Sequence, residues 1–141
     1  PLDTCLSNYR QLFAQTFSYY NYHFDIADTA RFYVAFDRLM DLWQELFPGR
    51  FFQQRYEALV NHPEPSVRSL LNRLALPWEP GCLEFHRQSG GVATASTVQV
   101  REPLYTSAIG RWKKFEKYLA PAIEVFEANG IRVDQADPAS E

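Results

Sequence analysis

Residues 50–56, Arg-Phe-Phe-Gln-Gln-Arg-Tyr, decide the fold class, because they are the one convincing β-strand in the sequence. The segment is short and aromatic, and the turn residues Pro48 and Gly49 come directly before it. A lone strand leaves its backbone N–H and C=O groups without partners, so it has to pair with other strands. The rest of the chain has helical patterns and offers no such partner. We therefore predict an α/β protein in which this chain is the mostly helical flank of a sheet whose other strands lie upstream.

Two long helices are predicted before this strand. Apolar side chains recur at helical spacing over residues 3–19, which indicates a first helix capped by Asp3 or Thr4. Polar and aromatic residues over 19–24 indicate a loop. Asp25 then caps a strongly amphipathic second helix, which ends at the Pro-Gly turn before the strand.

Shorter helical segments are predicted after the strand. They are a turn at 57–60, a helix over 65–74, a short stretch over 82–86 and a region over 107–129 that is broken by Pro121. Residues 88–97, rich in Gly, Ser and Thr, are expected to form a flexible loop, and Gly130 is expected to stop the last helix. We assign residues 1–133 to one portion of a domain and residues 134–141 to a polar tail.

The composition excludes several classes of protein. With 46% hydrophobic and 16% aromatic residues, the chain can bury a real core, and disorder is not expected. A net charge of −3 and a pI near 5.6 argue against a nucleic-acid partner. No apolar run approaches the roughly 20 residues that span a membrane, so no membrane partner is expected. The two cysteines are too few for a disulfide framework and indicate reduced thiols in a cytoplasmic protein, and the histidines show no metal-ligand spacing.

Two segments near element boundaries carry residues suited to nucleotide binding. In residues 1–9, Ser7 lies one helical turn after Asp3 and presents a hydroxyl near a helix start, where free N–H groups favour an anion. A helix cap at Asp3 with an incidental serine is the alternative. Tyr56 ends the predicted strand, at the position where open α/β folds bind ligands. An ordinary tyrosine packed at the boundary explains it equally well.

A third segment, residues 96–112, runs from a hydroxyl-rich loop into a basic helix. From Arg101 to Lys117 the sequence has five basic and two acidic residues, a net charge of +3 in an acidic chain. Arg and Lys beside Ser and Thr hydroxyls are the groups that bind phosphate through charge-assisted hydrogen bonds. A solvated basic helix face is the alternative.

Together, the three segments form an ordered set of motifs. They are Pro-Leu-Asp-Thr-Cys-Leu-Ser at 1–7, Arg-Tyr-Glu-Ala-Leu-Val at 55–60 and Gln-Val-Arg-Glu-Pro-Leu-Tyr-Thr-Ser-Ala-Ile-Gly-Arg-Trp at 99–112. In this order and spacing, from Pro1 to about Leu119, the chain resembles the sulfotransferase superfamily, whose members use 3′-phosphoadenosine 5′-phosphosulfate (PAPS). It is most similar to the bacterial enzymes that are often fused to tetratricopeptide repeats and are related to protein-tyrosine sulfotransferases. The resemblance implies the C-terminal part of a domain with a P-loop-like parallel sheet.

The resemblance also implies nucleotide-binding roles. Ser7 matches the serine that grips the 3′-phosphate of PAPS together with an arginine, which is expected two positions before Pro1. Tyr56 matches a tyrosine that contacts the nucleotide near adenine, and Ser96 matches a loop serine that touches the nucleotide. Arg111 stands where the tyrosine sulfotransferases have a phosphate-holding lysine. Further candidates from the same loop are Arg101, Tyr105 and Ser107.

The function implied is transfer of a sulfuryl group from PAPS to an acceptor hydroxyl or amine, leaving 3′-phosphoadenosine 5′-phosphate (PAP). The loop that holds the 5′-phosphosulfate and the general base have no counterpart in this sequence and are expected upstream. The chain is therefore predicted to supply 3′-phosphate and adenine contacts, with no catalytic residue of its own, and to be inactive without the upstream part of the same domain. A non-catalytic helical interaction module that retains the nucleotide-binding fold is the alternative. The acceptor stays open among carbohydrates, peptide tyrosines and small phenols.

Overall fold

The computed structural model describes residues 1–12, 18–87 and 102–133, and within these ranges the regular structure is helical. The α-helices are α1 (Leu2–Leu12), α2 (Ile26–Leu46), α3 (Tyr56–Asn61), α4 (Pro63–Arg73) and α5 (Glu116–Ala128). Short 3-10 helices lie at Ser18–Phe24, Pro80–Leu83, Phe85–Arg87 and Arg111–Phe115. The chain divides into two units, the first made of Pro1–Phe52 with the residues from Ile109 onward, and the second of Gln53–Ala108.

The core of the first unit lies where α1, α2 and α5 meet. Phe126 of α5 is completely buried, and the ring of Tyr33 on α2 meets it edge-on at a centroid distance of 5.5 Å. α1 contributes Leu2 and Cys5, which share one face because helical residues three apart are neighbours. The remaining buried members of this cluster are Ala30, Val34, Leu119 and Ala122. This core joins helices from opposite ends of the chain.

α2 begins where the sequence predicts, because Asp25 caps it. The Asp25 carboxylate accepts hydrogen bonds from the N–H groups of Ala27 and Asp28, at 2.7 and 3.1 Å. The Thr29 hydroxyl donates to the carbonyl of Tyr22 at 2.8 Å and so fastens the preceding 3-10 helix to α2. In the described part of the chain, neither α2 nor any other helix has the length and the apolar character to cross a membrane.

α5 runs through Pro121 without a break, so the predicted interruption at this residue is wrong. Proline removes one backbone N–H and destabilises the interior of a helix. Leu119, Ala122 and Phe126 are buried on both sides of Pro121, and their burial offsets that cost. Gly130, at a φ of +72°, follows the end of the helix as predicted.

The second unit contains the two helices predicted after residue 56. The Ser66 hydroxyl of α4 donates to the carbonyl of Ala58 in α3 at 3.0 Å and joins the two helices. α4 starts at Pro63, two residues earlier than predicted, because proline is well suited to the first helical position. Arg68 of α4 lies over the ring of Trp78 at 3.9 Å from its centroid. The short helical stretch predicted at 82–86 is confirmed as two 3-10 turns.

The strand predicted over 50–56 is not formed. Residues 51–55 have no regular structure, and Tyr56 already belongs to α3. The hydrogen bonds of a strand form only with a neighbouring strand, and the described residues contain none. The sheet of the predicted α/β fold is therefore absent from the described part of the chain, whereas the mostly helical character is confirmed.

The predicted first helix over 3–19 is described as an α-helix over Leu2–Leu12. Ser18–Phe24 forms a 3-10 helix where the sequence predicts the end of that helix and a loop over 19–24. Predicted segments that lie outside the described residues are 13–17, 88–97 and 134–141.

Both cysteines are free, and their environments predict opposite reactivity. Cys5 lies in the core, and burial raises the pKa of its thiol to about 12, so this thiol stays protonated at neutral pH. Cys82 is exposed. Because the thiolate is the reactive form, we expect a maleimide reagent to modify Cys82 in the folded protein and to leave Cys5 unmodified.

Peptide mass spectrometry after labelling measures both cysteines in one sample. Cys5 should become reactive only when the protein is unfolded in urea, which serves as the positive control. Equal labelling of the two thiols in the folded state would contradict the burial of α1 against α2 and α5.

Candidate functional site

A junction between α1 and the 3-10 helix Arg111–Phe115, which we call the basic 3-10 helix, brings together two of the segments predicted to bind phosphate. Asp3, in the first turn of α1, accepts two main-chain hydrogen bonds from the other segment. The N–H of Gly110 donates to Oδ2 at 2.6 Å, and the N–H of Trp112 donates to Oδ1 at 2.8 Å. The two carboxylate oxygens therefore hold the residues on either side of Arg111.

The local sequence explains why the basic 3-10 helix starts at this point. Gly110 has a φ of +68°, a left-handed conformation that glycine adopts without steric cost. N–H groups at the start of a helix have no partners inside it, and they favour a nearby negative charge. Asp3 supplies that charge, and Trp112 packs against the core of the first unit. The main chain of Arg111 is thereby fixed relative to α1.

Ser7 and Arg111 lie on two elements that contact each other within the first unit. Ser7 is exposed one turn after Asp3, and residues four apart lie on the same face of a helix. Arg111 is half-buried between the two residues that Asp3 holds. Since α1 begins at Leu2, Ser7 stands in the second turn rather than at the helix start. Ser7 therefore shares the face of α1 that carries Asp3.

The basic 3-10 helix and the start of α5 give this part of the first unit a positive charge. Lys113, Lys114 and Lys117 are exposed. Together with Arg111 they supply four cations within seven residues, against the single carboxylate of Glu116. Such a concentration of cations attracts an anionic ligand from solution.

The other predicted site residues belong to the second unit or lie outside the described residues. Tyr56 is the first residue of α3 and is exposed. Tyr105 is half-buried and Ser107 is exposed, and both belong to the second unit. Ser96 and Arg101 lie outside the described residues. The structure thus brings the segments of Ser7 and Arg111 together, and the binding roles of all seven residues stay predictions.

Asp3 is the residue whose contacts sequence reasoning missed. Its interpretation as a cap of the first helix is wrong, because α1 begins one residue earlier and the carboxylate bonds to Gly110 and Trp112 instead. These partners are 107 and 109 residues away in the sequence, and no local pattern signals a contact at that separation. The one available clue is a glycine directly before a basic segment, since glycine permits a turn that leaves N–H groups open to an acceptor.

Arginine and lysine side chains are the groups that proteins most often use to bind phosphate, and the segment beside α1 carries four of them. The sequence model of the sulfotransferase family matches residues 1–80, which is more than half of the chain and includes Asp3 and Ser7. The chain therefore belongs to the sulfotransferase family. This result confirms the resemblance to the sulfotransferase superfamily drawn from its motifs.

Two relatives that this chain matches are much longer than the chain itself. An uncharacterized protein of Aquifex aeolicus is 36% identical over 126 residues, which cover 89% of this chain and 17% of that protein. Protein-tyrosine sulfotransferase 1 of Danio rerio is 39% identical over 64 residues, which cover 40% of this chain and 18% of that protein. The chain thus spans less than a fifth of the length of either relative. No solved structure matches it.

Substitution of Gly110 by alanine should destabilise the junction. A Cβ at Gly110 meets no atom within 4 Å, so crowding is not the cause. The left-handed conformation itself costs a residue with a Cβ about 1–2 kcal/mol. We expect Gly110→Ala to lower the free energy of unfolding by this amount, measured by urea denaturation with tryptophan fluorescence, to which the neighbouring Trp112 contributes.

Gly81→Ala is the matched control, because its Cβ also meets no atom within 4 Å and its φ lies outside the left-handed region. We expect it to change the free energy of unfolding by less than about 0.5 kcal/mol. Equal effects of the two substitutions would mean that the backbone conformation of Gly110 contributes nothing to the junction.

Proposed function

We propose that this chain is the portion of a PAPS-dependent sulfotransferase that binds the 3′-phosphate and the adenine ring of the nucleotide. The observation that carries the proposal is the junction at Asp3, because it brings a hydroxyl-bearing helix and a cationic segment together in a chain of the sulfotransferase family. In this proposal the Ser7 hydroxyl and the Arg111 guanidinium group donate hydrogen bonds to oxygens of the 3′-phosphate. The same contacts hold PAPS before the reaction and PAP after it.

The groups at the junction have the chemistry that a phosphate requires. A phosphate monoester carries nearly two negative charges and offers acceptor oxygens, and Ser7 and Arg111 supply donors for them. The carboxylate of Asp3 lies close by, and each of its oxygens already accepts a backbone N–H at a helix start. This arrangement offsets part of its negative charge and reduces its repulsion of a phosphate. The exposed lysines add positive charge at longer range.

The reaction proposed for the intact protein is an in-line transfer of the sulfuryl group. The bond from sulfur to the 5′-phosphate oxygen of PAPS breaks while a bond forms from sulfur to the acceptor oxygen or nitrogen, and the acceptor proton passes to a general base. Cations stabilise the negative charge on the leaving phosphate. The general base and the groups around the sulfate belong, in this proposal, to the upstream part of the domain. This chain contributes by binding and orienting the nucleotide through its 3′-phosphate.

Residues between 56 and 107 are proposed, from the resemblance of the motifs, to make further contacts with the nucleotide. Tyr56 offers an exposed aromatic ring for contact with the adenine base. The other proposed contacts are made by Ser96, Arg101, Tyr105 and Ser107. The acceptor is then bound elsewhere, and its class is decided by residues of the upstream part.

The first unit has an exposed apolar face on α2, which indicates that another surface packs against it. α2 packs into the core through Ala30 and Val34, yet it also carries an outer stripe of large apolar residues that face water. The outer stripe consists of Phe32, Phe36, Leu39, Trp43 and Leu46, spaced alternately by four and three residues. Trp43 is 42% exposed and Leu46 is 60% exposed. Because soluble proteins rarely leave such a continuous apolar surface open, we infer that the outer stripe is covered in the intact protein.

The upstream sheet of the same domain is the partner that fits this surface. At the end of the outer stripe Trp43, Phe47, Arg50 and Phe51 line an open pocket of about 310 Å³. The chain then continues into residues 51–55, which lack regular structure although their sequence favours a strand. A sheet supplies both backbone partners for these residues and an apolar face for the stripe. The alternative is a non-catalytic interaction module whose outer stripe binds a separate protein.

Binding of PAP to the intact protein tests the nucleotide site. We expect Ser7→Ala and Arg111→Ala each to weaken binding by about 1.5–3 kcal/mol, roughly a tenfold to hundredfold rise in Kd. The physical reason is that each substitution removes a hydrogen bond to a charged phosphate. Isothermal titration calorimetry measures the effect.

The matched controls are exposed residues of the same types outside the junction, Ser69 on α4 and Arg31 on α2. Ser69→Ala and Arg31→Ala should leave the Kd for PAP within about twofold of the wild-type value. Unchanged binding in both site variants would exclude Ser7 and Arg111 from the nucleotide site. Failure of the wild-type intact protein to bind PAP would favour the interaction-module alternative.

Trp43→Lys on the outer stripe should have opposite effects in the intact protein and in the isolated chain. In the intact protein a lysine in a covered apolar surface should lower the free energy of unfolding by about 2 kcal/mol or more. In the isolated chain the stripe faces water and promotes association, so the same change should reduce self-association. Urea denaturation measures the first effect, and light scattering after size-exclusion chromatography measures the second.

Glu45→Lys, on the polar side of α2, is the control that changes charge without touching the outer stripe. It should leave both measurements close to those of the wild-type protein. An isolated chain that is monomeric and monodisperse, together with an intact protein that tolerates Trp43→Lys, would show that the stripe is open in both.

A further inference from the structure

Asp3 holds the main chain on both sides of a proposed phosphate-binding residue. Its carboxylate oxygens lie 2.6 Å from the nitrogen of Gly110 and 2.8 Å from the nitrogen of Trp112, and these two residues flank Arg111. Since each oxygen takes one donor, the pair of bonds fixes both the position and the direction of this short segment. Hydrogen bonds to an ionised acceptor are also about twice as strong as those between neutral groups.

The same carboxylate belongs to the helix that presents Ser7. Asp3 and Ser7 are four residues apart on α1 and are therefore neighbours on one helix face. Leu2 and Cys5 anchor the opposite face of α1 in the core, so Asp3 is attached to a firmly packed element. Asp3 thus links the main chain of Arg111 to the helix that carries the serine hydroxyl.

The placement of the main chain matters for an arginine that binds phosphate. The guanidinium group is a rigid planar fork, and its donors match phosphate oxygens only when the group arrives in the correct orientation. A displacement of about 1 Å in such a group is enough to reduce its contribution severely. A residue that fixes the segment around Arg111 therefore acts on phosphate recognition without contacting the phosphate.

We infer that Asp3 is a positioning residue for recognition of the 3′-phosphate, and that it acts by setting Arg111 against the face of α1 that carries Ser7. This inference rests on the proposed function, because it concerns the same nucleotide site. A carboxylate is suited to the role because it has two acceptor oxygens for two N–H donors. An asparagine in its place keeps the shape and one acceptor, but directs its amide donors at the second N–H group.

The test compares two nucleotides that differ in the 3′-phosphate alone. The Kd values for PAP and for adenosine 5′-monophosphate (AMP) are measured by calorimetry in the intact protein, with and without Asp3→Asn. We expect Asp3→Asn to raise the Kd for PAP about tenfold, and to change the Kd for AMP by less than about twofold. A merely structural role would weaken both nucleotides alike, so the ratio of the two Kd values identifies positioning.

Asp25→Ala is the control for lost stability, because it removes a carboxylate that accepts two backbone N–H groups at the start of α2, away from the junction. It should lower thermal stability, since a helix cap is lost, and leave the ratio of Kd values unchanged. A double variant adds an independent readout. If Asp3 acts through Arg111, then Asp3→Asn should not weaken PAP binding further in a protein that already carries Arg111→Ala.

The failure of this inference is distinguishable from that of the proposed function. A wild-type ratio in the Asp3→Asn protein, or additive losses in the double variant, overturns the positioning role and leaves the nucleotide site in place. A wild-type protein that binds PAP no better than AMP overturns both, because there is then no 3′-phosphate recognition for Asp3 to support.

Discussion

The burial of α5 against α1 and α2 is the interaction on which the rest of the first unit depends. Phe126 is fully buried, and burial of a phenylalanine side chain contributes roughly 1.5–3 kcal/mol. α5 follows directly after the basic 3-10 helix, so its packing delivers Gly110 and Trp112 to the side of α1. Two hydrogen bonds to Asp3 then fix the final position. Apolar packing thus brings α1 and the basic 3-10 helix together, and the Asp3 carboxylate fixes how the two segments align.

The features that were predictable from the sequence are those that depend on residues within one or two helical turns of each other. The Asp25 cap and the Gly130 stop depend on a few neighbouring residues, and both are confirmed. Pro121 is a local signal that led to a wrong prediction of a helix break. The burial of its neighbours offsets the cost of a proline inside a helix, and that burial depends on distant helices. Asp3 was misinterpreted for the same reason, since its partners are more than a hundred residues away. The Ser7 and Arg111 assignments came from motif resemblance, which carries long-range information that local patterns lack.

The strand over 50–56 fails for a different physical reason. A helix satisfies its own backbone groups, so a suitable sequence forms it with little help, whereas a strand requires a partner for every second residue on each edge. The segment has the aromatic and extended character of a strand, and the described residues supply no neighbour for it. Sequence pattern therefore reports a preference, and the presence of a sheet decides whether that preference is realised.

The two apolar faces of α2 support the proposal that a sheet covers the outer stripe. A helix with one apolar face belongs at the surface of a domain, whereas a helix with two apolar faces belongs between two layers. The first unit supplies one of these layers through α1 and α5, and the outer stripe of α2 is the exposed surface proposed to face the other. The groups proposed to bind the 3′-phosphate stand on the layer that this chain forms by itself. A phosphate that does not react needs only charge and donors held in place, and a layer of packed helices provides both. In the proposed reaction the sulfuryl group, by contrast, needs a base and an acceptor brought into line with it, and both are proposed to be held by the sheet that covers the outer stripe of α2.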